Sequence, residues 1–230
     1  IRGLSGSVLH FIDDASGLSN VWAVEFKDDG TVSTGAGLQR IDHLAQTMSY
    51  DEMLSWSLFY TTLFDMQKSP MVDVVDPDGL VRSQALETPN GAFRITLNGA
   101  ETHRTMAGNF LADSFGASVQ HIALATDDIF ATSDALATCG FNPLPISDNY
   151  YADLDARFDL TPEFLGQLKT GNILYDEDAH GAFLQFYSHP YAGGMFFEIV
   201  QRKGRYAGYG ARNAPVRLAA QSKVRAAVAS

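Results

Sequence analysis

Cysteine is almost missing from this sequence. Cys139 stands alone, so no internal disulfide can form, and a reducing, cytoplasmic setting is expected. It ends a helical pattern that stops at Gly140 and reads as a small buried hydrophobe, not a nucleophile. Long apolar runs are also missing: no stretch of about 18 apolar residues occurs, and no secretory leader pattern is read. Positive charge is scarce, with 16 Lys and Arg against 27 Asp and Glu and a net charge of −11. Nucleic acid needs clustered cations to meet its phosphates. The late basic residues Arg202, Lys203, Arg205, Arg212 and Arg217 are interrupted by Gly and Ala and form no such cluster. The expected partner is a small molecule, neither nucleic acid nor membrane.

What is present is core material. Hydrophobic residues make up 46% and charged ones 19% of 230 residues, enough for one large domain or two modules of about 100 residues each. Ile1 is not an initiator, and residues 7–12 and 21–26 read as two strands joined by an Asp/Gly/Ser turn. Residues 1–37 are therefore expected to be the end of a preceding module plus a Gly-containing linker over 28–37.

A pattern then occurs twice. The first copy, 38–115, opens on the alternating run Arg40-Ile41-Asp42-His43-Leu44-Ala45. Ser49-Tyr50-Asp51-Glu52 reads as a capping box, and Met53, Leu54, Trp56, Leu58, Phe59, Leu63 and Phe64 recur at helical spacing. Strands are expected at 71–75, 81–87 and 92–98, separated by Asp-Pro-Asp-Gly and Pro-Asn-Gly turns. The second copy, 116–205, opens on Val119-Gln120-His121-Ile122-Ala123-Leu124, followed by a helix to about Cys139. It continues with a short segment at 143–146, a Tyr- and Asp-rich insertion to about 170, and strands at 172–176, 182–188 and 195–202. Each copy reads β-α-β-β-β, an α+β architecture of paired modules, and residues 206–230 read as a C-terminal helix or tail. The Tyr150-Tyr151 pair is read as exposed, leaving room for a homo-oligomer contact.

Three residues conflict with their surroundings. His43 and His121 hold equivalent mid-strand places among apolar neighbours, and an unsatisfied buried imidazole costs about 1–3 kcal/mol. Glu198 lies in Met195-Phe196-Phe197-Glu198-Ile199-Val200, where a carboxylate must be paired, protonated or bound to a cation. If the two copies pair their sheets about a pseudo-two-fold axis, their first strands meet and both imidazoles face one cavity. Two imidazoles and a carboxylate match the facial ligand set of non-haem Fe(II) sites; the bland alternative is an ion pair between Glu198 and Arg202. His10, His103, His180 and His189 carry no such signal.

The runs Gly37-Leu38-Gln39-Arg40-Ile41-Asp42-His43, Val119-Gln120-His121-Ile122-Ala123-Leu124, Leu184-Gln185-Phe186 and Phe196-Phe197-Glu198-Ile199-Val200-Gln201-Arg202-Lys203-Gly204 resemble 4-hydroxyphenylpyruvate dioxygenase and its relatives in the vicinal oxygen chelate superfamily. The resemblance implies a glyoxalase-like half-barrel cup with a divalent metal on His43, His121 and Glu198. Fe(II) is the first expectation, with Mg, Mn, Co or Zn as alternatives. It also implies substrate contacts from Ser83, Asn98, Gln120, Gln185 and Phe196, with a 2-oxo acid or related carboxylate as ligand. The sequence departs from the dioxygenases at Met106, where they carry Gln, and at Tyr187, where they carry Phe. Their Gly-Phe-Gly and Asn-Phe become Gly208-Tyr209-Gly210 and Asn213-Ala214-Pro215, and losing an aromatic face forfeits about 0.5–1.5 kcal/mol of stacking. This ending is similar instead to the C-terminal half of two-domain bacterial 3-dehydroshikimate dehydratases, lyases of aromatic compound catabolism. That resemblance implies a metal-binding dioxygenase-like domain, with dehydration to protocatechuate carried by a barrel outside this chain. The alternative is an Fe(II)- and O₂-dependent 4-hydroxyphenylpyruvate dioxygenase forming homogentisate.

Overall fold

The computed structural model describes residues 1–31 and 34–229, and divides the chain into two compact units, Ile1–Gly35 and Ala36–Ser230. Val32 and Ser33 of the expected linker, and Ser230 of the tail, lie outside the described residues. The first unit overturns both strand expectations. Residues 7–12 contribute only an isolated bridge between Arg2 and Val8, and helix α1 covers Val21–Glu25. A strand leaves its amide groups unpaired unless a neighbour runs beside it, whereas a helical turn satisfies them locally. Here Phe26 N donates to Trp22 O at 2.9 Å, and the two rings stack at 5.7 Å.

The second unit begins with β1 (Leu38–Ser49), α2 (Tyr50–Leu63), β2 (Gln67–Lys68), β3 (Val72–Asp76), β4 (Gly79–Glu87) and β5 (Arg94–Ala100). Helix α3 (Met106–Asp113) leads to β6 (Ser118–Thr126), α4 (Ile129–Thr138), α5 (Asp148–Arg157) and α6 (Pro162–Thr170). Strands β7 (Leu174–Asp178), β8 (Gly181–Tyr187) and β9 (Phe196–Gly204) precede α7 (Ala214–Ala229). One sheet runs β2-β4-β5-β1-β6-β9-β8-β7, with β3 also on β4. The arrangement mirrors itself about the antiparallel β1–β6 pair, because β5 lies parallel to β1 as β9 lies parallel to β6. The fold is mixed α+β, and its sheet curls into the half-barrel cup of the glyoxalase type. Among the described residues no helix is long and apolar enough to cross a membrane.

Several local readings need correction. The segment 143–146 forms only a bridge from Pro143 to Ser188, and the insertion after it folds into α5 and α6. Tyr150 and Tyr151 are buried, not exposed. They join a core with Ile129, Leu154, Leu168, Phe186 and Ile199, and Tyr175 N donates to the Tyr150 hydroxyl at 2.8 Å. Cys139 is exposed, because it is the C-cap of α4 and the buried side of that helix is carried by Ile129 and Thr132. Helix α2 starts at the expected place, yet Ser49 is not a capping box residue: its hydroxyl donates to the Glu52 carboxylate at 2.8 Å.

Candidate metal centre

Strand pairing builds the site before any side chain is considered. His43 on β1 lies opposite Ala123 on β6, Ala123 beside Glu198 on β9, and Glu198 opposite Tyr187 on β8. Paired residues share a face, so these four form one row across the floor of the cup. Ala123 contributes only a methyl group, which leaves space for His43 and Glu198 to lean over it. His121 precedes Ala123 by two positions and therefore shares its face. His43 Nε2 lies 3.5 Å and His121 Nε2 3.4 Å from Glu198 Oε2. The two imidazoles meet edge-on, with centroids 5.7 Å apart. One ligand atom from each of the three buried residues falls within 4.8 Å of the others, a set that can hold a divalent metal ion.

His43 is oriented by a residue the sequence reading overlooked. Register shifts between Ile41 and His43, so Asp42 has no cross-strand partner and forms a bulge. Its Oδ1 accepts from His43 Nδ1 at 2.8 Å, which directs Nε2 towards the other two ligand atoms. Asp42 also accepts from Arg202 Nε at 2.9 Å and Nη2 at 2.8 Å, the planar bidentate geometry that arginine suits best. The ion pair thus joins Arg202 to Asp42, not to Glu198, and leaves the Glu198 carboxylate to the imidazoles.

The electrostatics follow from burial opposed by partners. Burial alone would raise Glu198, but hydrogen bonds from His121 and His43 outweigh it and lower the carboxyl to about 2. Asp42 is likewise pushed up by burial and pulled further down by Arg202 and His43, well below the usual carboxylate range. Burial lowers His121 to about 4, with Glu198 resisting and the His43 and Arg217 charges assisting. His43 is also depressed by burial, but Asp42 and Glu198 on its two sides raise it overall. The floor holds an ionised carboxylate and a neutral His121, the protonation states a cation requires of its ligands. Two buried atoms here, Glu198 Oε1 and His121 Nδ1, have no hydrogen-bond partner, so the donor set fits a metal better than it fits itself.

Above the floor is a cavity of about 90 Å³. Ser83, Asn98 and Gln120 line it together with His43, His121 and Glu198. Phe196 and Gln185 do not. Phe196 stacks behind His121 with centroids 4.8 Å apart and lines a neighbouring cavity of about 400 Å³, which Gln120 and Met106 also touch. Gln185 is fully buried with both amide atoms unpartnered, packed where a Cβ on Gly210 would sit 2.4 Å from its Oε1. Gly210, at φ +59°, thus lets the backbone pass over Gln185. The cavity wall adds Thr96 and Arg217, which the sequence reading did not name as contacts, and Tyr187 and Tyr209, which stand where the resembled family carries phenylalanines. Tyr209 meets His43 edge-on at 5.0 Å. His10, His103 and His180 are exposed and His189 is half-buried, all outside the cavity lining.

The chain belongs to the Glyoxalase/Bleomycin resistance protein/Dioxygenase superfamily, whose family model matches residues 40–163. It is similar to the 3-dehydroshikimate dehydratase of Pseudomonas putida, 41% identical over 230 residues. That match takes in 100% of this chain but 36% of the dehydratase, so the chain spans about a third of that relative's length. It is also similar to the 4-hydroxyphenylpyruvate dioxygenase of Legionella pneumophila, 34% identical over 218 residues, with 93% of this chain and 61% of the dioxygenase covered. A solved structure described as a xylose isomerase-like TIM barrel/4-hydroxyphenylpyruvate dioxygenase fusion protein superposes with a TM-score of 0.72 at 43% identity. It covers 86% of this chain and 31% of the fusion protein.

Proposed function

We propose that this chain is the metal-binding, dioxygenase-like part of a 3-dehydroshikimate dehydratase. On this reading His43, His121 and Glu198 hold one divalent ion, Fe(II) first. Conversion of 3-dehydroshikimate to protocatechuate is carried by a barrel outside this chain, in a cytoplasmic protein. The observation behind the reading is the convergence of three buried ligand atoms within 4.8 Å on the floor of a glyoxalase-type cup. The dehydratase similarity over the whole chain supplies the larger context. A divalent ion bound there supplies Lewis acidity towards neighbouring oxygens of a small-molecule ligand.

The chain's own residues do the rest. Asp42 keeps the His43 proton on Nδ1, and Phe196 backs the His121 ring. Ser83, Asn98 and Gln120 offer hydroxyl and amide groups to the oxygens of a 2-oxo acid or related carboxylate. Gln185, fully buried beneath Gly210, lies outside this cavity lining and contributes no ligand contact. Tyr209 and the methyl of Ala214 form part of the cavity wall. Ala214 offers no ring face, which argues against clamping a 4-hydroxyphenyl substrate.

Metal analysis of the intact protein tests the reading. Close to one ion per chain is expected for the wild type, and little for His121→Ala or Glu198→Gln. A wild type without metal would remove the centre. Protocatechuate formation from 3-dehydroshikimate should be present only when the barrel accompanies this chain, and oxygen uptake with 4-hydroxyphenylpyruvate and Fe(II) should be absent in either case. Uptake at an enzymatic rate would assign the chain to the dioxygenases instead.

A further inference from the structure

Arg217 is the unusual member of the cavity wall. It lies on α7, where Ala214, Arg217 and Leu218 face the cavity at the i, i+3, i+4 spacing of one helical side. Its guanidinium rests over the Phe196 ring at 5.1 Å and the Tyr187 ring at 5.8 Å, and Nη1 donates to Gln221 Oε1 at 2.7 Å. Rings and amide hold the group in place without neutralising it. Among the described residues no carboxylate lies within 4 Å of Arg217, whereas Arg202, the other arginine near this floor, is matched by Asp42. A half-buried cation with no anion beside it is costly to hold in a cavity unless a ligand brings the charge.

We infer that Arg217 is the acid-recognition residue of this cavity, selecting ligands whose carboxylate lies at the end remote from the oxygens that reach His43, His121 and Glu198. The inference rests on the metal reading given above, and adds the class of ligand. Phe196 backs both groups: its ring stands 4.8 Å from that of His121 and 5.1 Å from the Arg217 guanidinium. The cation is therefore no farther from the His121 ring than the sum of those distances, a gap one six-membered ring can bridge. A cavity of about 90 Å³ suits such a compact molecule better than one with a long side chain. The charges agree as well: chelating oxygens belong at the metal end, and the planar guanidinium fork pairs with a carboxylate through two parallel hydrogen bonds.

Calorimetric titration of the intact, Co(II)-loaded protein with 3,4-dihydroxybenzoate and with catechol isolates the contribution of the carboxylate. Wild type should prefer 3,4-dihydroxybenzoate by about 10- to 100-fold, the range of a hydrogen-bonded charge pair. Arg217→Leu should erase that preference by weakening 3,4-dihydroxybenzoate alone, and Arg217→Lys should keep part of it. Equal wild-type affinities for the two probes overturn the inference, even if Arg217→Leu fails to fold. So does a preference that survives Arg217→Leu, or a loss shared equally by both probes. A wild type that takes up no Co(II) removes the metal reading and this inference together. A Co(II)-loaded wild type indifferent to the carboxylate removes this inference alone.

Discussion

Asp42 touches no open face of the metal site, yet it holds both His43 and Arg202. Asp42→Asn removes the charge that fixes the imidazole and leaves Arg202 unmatched. Metal affinity is expected to fall about 10- to 100-fold, measured by competition with a chromogenic chelator. The metal-free protein should lose about 3 kcal/mol of stability, as when one partner leaves a buried pair. A pH effect belongs to His121. Its native pKa of about 4 lies below the unfolded value of 6.5, so between these values the unfolded chain binds a proton that the native chain refuses. Metal-free stability should decline as pH falls from 6.5 to 4, by about 3 kcal/mol from this residue. His43 is raised, so its contribution is complete below its ordinary value and changes only above this window. Urea unfolding at pH 7 and pH 4.5 should show a smaller decline for His121→Gln; equal declines would refute the assignment. The three candidate ligands were legible because each is a polar side chain in an apolar strand. Asp42 sat in plain view beside His43, but its role depends on a bulge and on an arginine 160 residues away.

Among the elements, α4 begins at a cap that sequence alone could locate. Asp128 accepts from Phe130 N and Ala131 N, both at 3.1 Å, so Asp128→Ala should cost about 0.5–2 kcal/mol in chemical denaturation. Helix α2 depends on closeness, not on capping. A Cβ at Gly99 on β5 would fall 2.9 Å from Met53 Sδ and 3.2 Å from Tyr50 Cα. Gly99→Val is therefore expected to push α2 off the sheet and destabilise by about 1–3 kcal/mol, seen as a lower midpoint in urea. The main strands of both copies were readable from alternation and turn residues. Helices α5 and α6 were not, because Tyr150, Tyr151 and Leu154 give too few apolar positions to mark a period among acidic neighbours. The strand expectation over 21–26 failed for the opposite reason: β-branched and aromatic residues suggested a ladder, but among the described residues no neighbouring strand completes it.

At the scale of the whole molecule, metal should act as a ligand of the native state alone. At a free concentration 100 times its dissociation constant it adds about 2.7 kcal/mol. For a chain of this size that amounts to roughly 5–10 °C in melting temperature. Calorimetric scans should show the rise in wild type and not in Glu198→Gln. The duplicated architecture was visible in the sequence as a repeat, and the central β1–β6 pair is how that repeat becomes one sheet. That junction has a further consequence. His43 comes from the strand that opens the first repeat, while His121 and Glu198 both come from the second. A cut beside Phe115, which is 98% exposed between α3 and β6, would leave two polypeptides with an incomplete chelate apiece. The ion they share would then add to the β1–β6 ladder in holding them together, so that EDTA should weaken the association of the halves of a nicked protein and leave an uncut one whole.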